Sequence, residues 1–140
     1  SYGRESLTEL TKALEDYRDD LVVIVAGYTN LMEKFFESNP GLKSRFNTFI
    51  SFNDYSIDEL TRIFTYTCDR NDYTIEDEAI EKIHNLLEAK LKDQEDHFSN
   101  GRFIRNLFDD ITMNQSKRLS KLTGDIAKET LMLITKDDVF

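Results

Sequence analysis

Hydrophobic and polar positions follow two different patterns in the first part of the chain, a helical repeat and a continuous apolar run. Between residues 5 and 18, leucines and a tyrosine recur at helical spacing, which predicts an amphipathic helix. Residues 21–26 are a continuous apolar, largely β-branched run, typical of a strand buried in a parallel sheet. Residues 31–37 have the pattern of a short helix and residues 49–52 that of a second strand. Together these elements predict a βαβ unit with parallel strands.

The character of the chain changes after Asn53-Asp54, where helical periodicity takes over. Ser56 and Glu59 are spaced as a capping box, which predicts the start of a helix. Two further helices are predicted, one opening at residues 74–77 and one at the turn Ser99-Asn100-Gly101, with apolar positions facing inward.

The remaining elements are shorter. A charged loop is predicted over residues 92–97, a short helix over residues 125–130 and a small strand over residues 131–134. The predicted fold class is therefore α/β plus all-α. A partial parallel-sheet layer over residues 1–53 is followed by a helical subdomain over residues 54–140.

Composition and charge narrow the classes of function. The net charge is −9, so a broad basic surface for nucleic acid is not expected. The longest apolar run, residues 21–26, is far too short to span a membrane. The single cysteine, Cys68, excludes an internal disulfide framework, fits the reducing cytoplasm and is expected in the core. Because the chain starts at Ser1 without a methionine, it is expected to belong to something longer.

Most catalytic patterns are missing from the sequence. There is no G-x-x-x-x-G-K-[ST] loop for phosphates and no Cys/His cluster, and His84 and His97 stand apart from each other. No metal site is predicted. The acidic pairs Asp19-Asp20, Asp109-Asp110 and Asp137-Asp138 are expected to be solvated turns or faces.

Two arginines stand in more informative contexts. Arg45 follows the turn Asn39-Pro40-Gly41 and precedes the second predicted strand, so it is expected to project from the domain edge. A guanidinium there suits phosphoryl oxygens of a neighbouring subunit. Arg102 falls in the first turn of a predicted helix, where backbone N–H groups and a guanidinium together suit a phosphate. Taken singly, each pattern is also what an ordinary surface arginine shows.

Three segments together resemble a known family. Residues 15–28 (EDYRDDLVVIVAGY) are similar to the strand bearing sensor 1 in AAA+ ATPases of the CbxX/CfqX type. That group includes stage V sporulation protein K and the red-type Rubisco activases. Residues 35–46 (FFESNPGLKSRF) resemble its arginine-finger segment, and residues 100–108 (NGRFIRNLF) resemble its sensor 2 helix. The resemblance covers nearly the whole chain, with the motifs in family order.

The resemblance implies roles for the arginines. Arg45 would be the arginine finger, acting in trans on ATP held by the next protomer. Arg102 would be the sensor 2 arginine, acting in cis and linking the nucleotide state to the position of the lid. Arg105 would either assist Arg102 or pair with an acidic neighbour.

The sensor 1 residue is left open by the resemblance. Many AAA+ proteins end this strand directly in Thr-Asn, whereas Gly27-Tyr28 intervenes here. The group that orients the attacking water would therefore be Tyr28, Thr29 or Asn30. Asn30 is equally well placed by the sequence to cap the next helix.

For the parent protein, the resemblance implies an ATPase that uses ATP and Mg²⁺, forms a hexameric ring with other protomers and remodels an unidentified protein client. This chain has neither the P-loop nor the Walker B acidic pair, so by itself it is expected to hold no nucleotide and to be inactive. In the family's sheet the two predicted strands flank a strand that this chain lacks. Unpaired strand edges are therefore expected.

Two other functions remain open from the sequence. A non-enzymatic helical interaction module would show the same apolar stripes and capping box, but it does not require the two arginine motifs. The lid of a DNA-acting AAA+ protein would share the helices, but the acidic charge counts against it. Neither nucleic acid nor a membrane is expected as a partner, and a cytoplasmic location is expected.

Overall fold

The computed structural model describes residues 2–93 and 100–140. The chain divides into two compact units, residues 1–53 and residues 54–140. In chain order the elements are α1 (Tyr2–Asp16), α2 (Thr29–Glu37), α3 (Pro40–Lys43), α4 (Ile57–Arg70), β1 (Thr74–Ile75), α5 (Asp77–Lys92), α6 (Asn100–Leu119), α7 (Lys128–Leu131), β2 (Leu133–Ile134) and a 3-10 helix (Lys136–Asp138).

The first unit contains α1, α2 and α3, and its aromatic side chains gather around Phe36. The Phe36 ring lies edge-on to Phe46 and Phe49, with centroid distances of 5.4 and 5.6 Å. Phe36 and Leu42 are both buried. The two longer helices predicted for this unit are present as α1 and α2, with their ends shifted by a few residues.

The two strands predicted for this unit are not formed. Residues 21–28 and 46–56 have no strand hydrogen bonding, and Ile24 and Phe52 are 87% and 90% exposed. The prediction of a βαβ unit is therefore wrong for the described residues. An apolar run indicates a segment suited to burial, but a strand also needs a neighbour for its N–H and C=O groups. No described segment of this unit supplies that neighbour.

Helix α4 is capped by hydrogen bonds at both ends. At its start, Ser56 Oγ accepts from the Glu59 N–H at 3.2 Å, and the Ser56 N–H donates to Glu59 Oε2 at 2.8 Å. This is the predicted capping box. At its end Asp72 adopts a φ of 62°, and the Tyr73 N–H donates to the Cys68 carbonyl at 2.9 Å. The helix therefore closes in a Schellman motif with aspartate in the left-handed position.

The core of the second unit lies between α4, α5 and α6 and is closed by the end of the chain. Cys68 is buried there as predicted, and burial raises the pKa of its thiol to about 12. The Phe108 ring lies edge-on to Phe64 at 6.1 Å and to Tyr73 at 5.8 Å. The buried apolar side chains are Leu60, Phe64, Cys68, Ala79, Ile83, Leu87, Ile104, Leu107, Ile111, Ile134 and Val139.

A two-stranded parallel sheet joins the middle of this unit to its end. Thr74 pairs with Leu133 and Ile75 with Ile134. The predicted strand over residues 131–134 is thus present in its last two residues as β2. Its partner β1 occupies residues that were predicted to open a helix, so α5 begins later, at Asp77. The predicted charged loop lies mostly outside the described residues.

A buried polar network holds the C-terminal segment against α6. Arg118 Nε lies 2.8 Å from Asp138 Oδ1, and Arg118 Nη2 lies 2.9 Å from Asp138 Oδ2. The Thr135 N–H also donates to Asp138, and Gln115 Nε2 donates to the carbonyls of Leu131 and Leu133. The expectation that Asp138 is solvated is therefore wrong, because a cation distant in the sequence pairs with its carboxylate in the core.

Candidate functional site

Arg45 directly follows the turn that closes α3. Asn39 precedes the helix, Pro40 occupies its first position, and buried Leu42 anchors it to the unit. Proline is suited to this place because its fixed φ matches the helix and its missing N–H would have no helical partner. Arg45 thus follows this short helical turn directly, but the strand predicted after it is not formed, since residues 46–56 have no strand hydrogen bonding.

The guanidinium of Arg45 is held from two sides. Its Nη1 donates to the Gly41 carbonyl at 2.6 Å, and its Nε lies 3.3 Å from Oε2 of Glu15, near the end of α1. The side chain of Arg45 is 31% exposed. Among the described residues, Nη2 has no hydrogen-bond or ion-pair partner. The side chain is therefore ordered by its own unit and still offers donors to a ligand.

The three sensor 1 candidates lie together at the start of α2. Tyr28 occupies the N-cap position in an extended conformation and is largely exposed, and Thr29 is the first helical residue. The prediction that Asn30 caps this helix is wrong in position, since the cap residue is Tyr28. Instead, Asn30 Oδ1 accepts from the Leu31 N–H at 2.9 Å, within the first turn. The Leu31 N–H also donates to the Tyr28 carbonyl at 3.0 Å, so Asn30 adds a second acceptor for it in the first turn.

Arg102 and Arg105 lie on the exposed face of α6, in the second unit. Their three-residue spacing places them on the same side of the helix, while Ile104 and Leu107 point into the core. Within the described part of the chain, neither arginine has an ion pair or a hydrogen bond from its side chain. Arg105 was expected either to assist Arg102 or to pair with an acidic neighbour, and no such acidic partner is present among residues 2–93 and 100–140.

The start of α6 is tied to the start of the second unit. Asn100 Nδ2 donates to Asp54 Oδ1 at 2.6 Å, while Asn100 Oδ1 is buried without a partner among the described residues. Asn100 and Gly101 are helical, and Ser99 of the predicted capping turn lies outside the described residues. The bond to Asp54 fixes the point from which Arg102 projects.

The described residues offer few other candidates for a catalytic or metal-binding site. His84 Nε2 lies 3.2 Å from Asp58 Oδ1 at the partly exposed surface of α5, and His97 lies outside the described residues. Across residues 2–93 and 100–140 no group of three or more histidine, cysteine, aspartate or glutamate side chains could hold a metal ion. None of the described helices is both long and apolar enough to cross a membrane.

Two ion pairs of the structure, Glu15 with Arg45 and Arg118 with Asp138, could not be predicted from the sequence. The sequence places Glu15 only within a family-like segment, and nothing in it indicates that Arg118 pairs with Asp138. Both pairs join residues that are far apart in the sequence, so no periodicity or motif could reveal them. The one available signal was the acidic residue at the end of an amphipathic helix, which is common in so acidic a chain.

The second unit matches a known family. A family model described as "AAA lid domain" matches residues 56–140. The chain therefore belongs to the AAA lid domain family and, with it, to the AAA+ proteins. The predicted helical lid after residue 54 is confirmed as a fold by this match and by the helical core described above.

Similar proteins match almost the whole chain. Protein CbxX (plasmid) of Cupriavidus necator is 37% identical over 139 residues, which are 99% of this chain and 43% of that protein. Protein CbbX of Cereibacter sphaeroides is 37% identical over 139 residues, 99% of this chain and 44% of that protein. Protein CfxQ of Xanthobacter flavus is 41% identical over 138 residues, 99% of this chain and 43% of that protein.

These similarities confirm the resemblance to the CbxX/CfqX type. The aligned region includes both units and therefore all the candidate arginines. The chain spans less than half the length of these relatives.

Proposed function

We propose that this chain is part of an AAA+ ATPase that couples ATP binding and hydrolysis to the remodelling of a protein client. The observation that carries the proposal is the similarity to CbxX over 99% of the chain, across both units. Because the chain spans 43% of that relative, the P-loop, the magnesium ligands and the substrate-gripping parts would come from the rest of the protein.

Arg45 would act as the arginine finger on ATP bound to a neighbouring protomer. In phosphoryl transfer, negative charge is spread over the transferred group, and a guanidinium stabilises it when it is positioned at the right point. The surroundings of Arg45 support this role, because its guanidinium is held by the Gly41 carbonyl and Glu15 and its Nη2 has no partner among the described residues.

Arg102 would bind phosphate oxygens of ATP held by its own protomer and so link the nucleotide to the lid. Its place in the first turn of α6 and its exposure support this role. Arg105, on the same helix face, would assist. The water-orienting group of sensor 1 would be Tyr28, Thr29 or Asn30, which lie in consecutive positions at the start of α2.

ATP fits the donors of this chain, whereas Mg²⁺ does not. The exposed guanidinium groups of Arg102 and Arg105, and the partly exposed one of Arg45, suit phosphoryl oxygens. No described cluster of carboxylates suits a metal ion, so Mg²⁺ would be held by other parts of the protein. The partners of the chain would be further protomers in a ring, with a hexamer as the expected size, and a protein client.

The test of the arginine finger is the variant Arg45→Ala in the full-length protein. We expect the rate of ATP hydrolysis to fall by about 10³–10⁵-fold while ATP binding stays nearly unchanged. Lys43→Ala is the matched control, because Lys43 is an exposed cation at the end of α3, two residues before Arg45. A tenfold loss of ATP affinity with an unchanged rate would contradict the role.

A mixing experiment separates action in trans from action in cis. Protomers carrying Arg45→Ala are mixed with protomers that keep Arg45 but have lost the phosphate-binding lysine of their own ATP site. If Arg45 acts in trans, the mixed rings regain hydrolysis that neither protein shows alone, because the intact arginine reaches the intact site. If the mixture stays inactive although mixed rings form, Arg45 does not act across protomers.

A further inference from the structure

Glu15 and Arg45 form a contact that the family match does not assign. Glu15 is the penultimate residue of α1, and its Oε2 lies 3.3 Å from Arg45 Nε. Both residues belong to the first unit, so the contact is internal to one compact body. It joins the end of α1 to the residue that follows the α3 turn.

The contact contributes little to stability. The side chain of Glu15 is 60% exposed and that of Arg45 is 31% exposed. Exposed ion pairs are screened by water and gain little free energy from being formed. The pair is therefore expected to add little to the free energy of unfolding, and its main effect is on the orientation of the guanidinium.

The contact restricts how the guanidinium can turn. A guanidinium is a planar fork with donors on each of its nitrogens. In Arg45 the Nη1 is held by the Gly41 carbonyl and the Nε by the Glu15 carboxylate, from two different elements. With both nitrogens engaged, the plane of the fork is defined, and Nη2 is the nitrogen left without a partner among the described residues.

We propose that Glu15 is a positioning residue for Arg45, which orients the guanidinium so that its Nη2 side is presented to a phosphoryl group. This inference rests on the proposed function of Arg45. Reaction rates are sensitive to such placement, since a misplacement of about 1 Å can cost about 10²-fold in rate. Glu15 would not touch the nucleotide, and it acts only through Arg45.

The experiment compares four variants of the full-length protein: Glu15→Gln, Glu15→Asp, Arg45→Ala and the double variant Glu15→Gln/Arg45→Ala. We expect Glu15→Gln to lower kcat by about tenfold with KM for ATP unchanged, because placement of a transition-state group affects kcat alone. Glu15→Asp keeps the carboxylate and is expected to recover part of the loss. The double variant is expected to equal Arg45→Ala, because Glu15 has no effect without Arg45.

Glu9→Gln is the matched control. Glu9 is exposed on the same helix and has no ion pair among the described residues, so its change removes the same charge without reaching Arg45. Its kcat is expected to match that of the unchanged protein. The melting temperature of Glu15→Gln is also expected to equal that of the unchanged protein. A lower kcat at an unchanged melting temperature separates a loss of positioning from a loss of fold.

The outcomes distinguish this inference from the proposed function. If Arg45→Ala abolishes hydrolysis but Glu15→Gln hydrolyses ATP normally, the role of Glu15 is overturned and the arginine finger stands. If Glu15→Gln lowers the rate further when Arg45 is already alanine, Glu15 acts by another route and the inference fails. If Arg45→Ala leaves kcat unchanged, the proposed finger is overturned and the role of Glu15 falls with it.

Discussion

Arg118 and Asp138 form a two-pronged ion pair, with Nε to Oδ1 at 2.8 Å and Nη2 to Oδ2 at 2.9 Å. The carboxylate of Asp138 is fully buried, and Arg118 also donates to the carbonyl of Leu133, the first residue of β2. Burial alone would raise the pKa of Asp138. The Arg118 guanidinium and the Thr135 donors outweigh it and hold the pKa below its usual value. The pair fastens the last segment of the lid to α6.

Asp138→Asn is expected to lower the free energy of unfolding of the lid by about 3 kcal/mol. The change leaves the guanidinium without its counter-ion, and breaking a buried pair from one side costs about 3–5 kcal/mol. We place the loss at the low end because the Arg118 side chain is 28% exposed. Urea unfolding measures it. Asp137→Asn, an exposed neighbour, is the control and is expected to stay close to the unchanged protein.

The stabilisation of the fold by Asp138 is expected to be lost at low pH. Its pKa in the folded protein lies below the ordinary value of 3.8. The carboxylate therefore stabilises the fold fully above that value, and the stabilisation is lost as the pH falls through the folded pKa. The difference in unfolding free energy between the unchanged protein and Asp138→Asn should be constant from about pH 7 to about pH 5 and shrink below pH 3.8. An unchanged difference at lower pH would show that the charge of Asp138 is not responsible.

Asp72→Gly is expected to stabilise the lid, by up to about 1 kcal/mol. Asp72 has a φ of 62°, a conformation that costs about 1–2 kcal/mol for a residue with a side chain and is open to glycine. Thermal or urea unfolding tests this. The control is Asp69→Gly, one turn earlier inside α4, which is expected to destabilise by about 1 kcal/mol. If both changes destabilise equally, the left-handed residue does not strain the helix end.

Gln115→Leu is expected to loosen the small sheet. Gln115 is buried, and its Nε2 donates to the carbonyls of Leu131 and Leu133, both at 3.0 Å. Leucine is apolar and cannot donate, so the Leu131 carbonyl loses its side-chain donor while the Leu133 carbonyl keeps only Arg118. The expected cost is about 1–3 kcal/mol. Hydrogen exchange at the amides of Thr74 and Glu76, which donate across the sheet, should become faster. Ser116→Ala, an exposed change on the same helix, should leave it unaltered.

The chain by itself is expected not to bind Mg-ATP. Its sequence has no phosphate-binding loop and its described residues have no metal-ligand cluster. Calorimetry at low salt should therefore show no heat of binding down to millimolar affinity. Micromolar binding would mean that a nucleotide site exists without a P-loop. The proposal that the rest of the protein supplies the nucleotide-binding residues would then be wrong.

The helices of the lid could be predicted from the sequence because their signals are local. Ser56 and Glu59 are three residues apart and cap α4 as the sequence predicts. The inward positions of α4, α5 and α6, such as Phe64, Ile83 and Ile104, follow the helical period and are buried as predicted. The bounds of α5 could not be predicted as well, since β1 forms only because β2 lies beside it.

The arginine motifs were visible in the sequence, but their surroundings were not. The position of Arg45 after a proline turn and of Arg102 in the first turn of a helix follow from local patterns. The partner of Arg45 could not be predicted from local patterns, because Glu15 approaches Arg45 only when α1 and α3 pack together. The two strands predicted from residues 21–26 and 49–52 failed for the same reason, as pairing depends on a neighbour and not on the run itself.

The sequence by itself determined the family, the lid helices, the capping box of α4 and the buried faces of these helices. Each of these depends on residues within a few positions of one another, so the short-range rules of helix geometry are sufficient. Only the tertiary structure decided that Asp138 is buried against Arg118, that Thr74 pairs with Leu133 and that Glu15 holds Arg45. These contacts join distant residues, and which of many acidic side chains meets a given arginine is settled by how the helices pack.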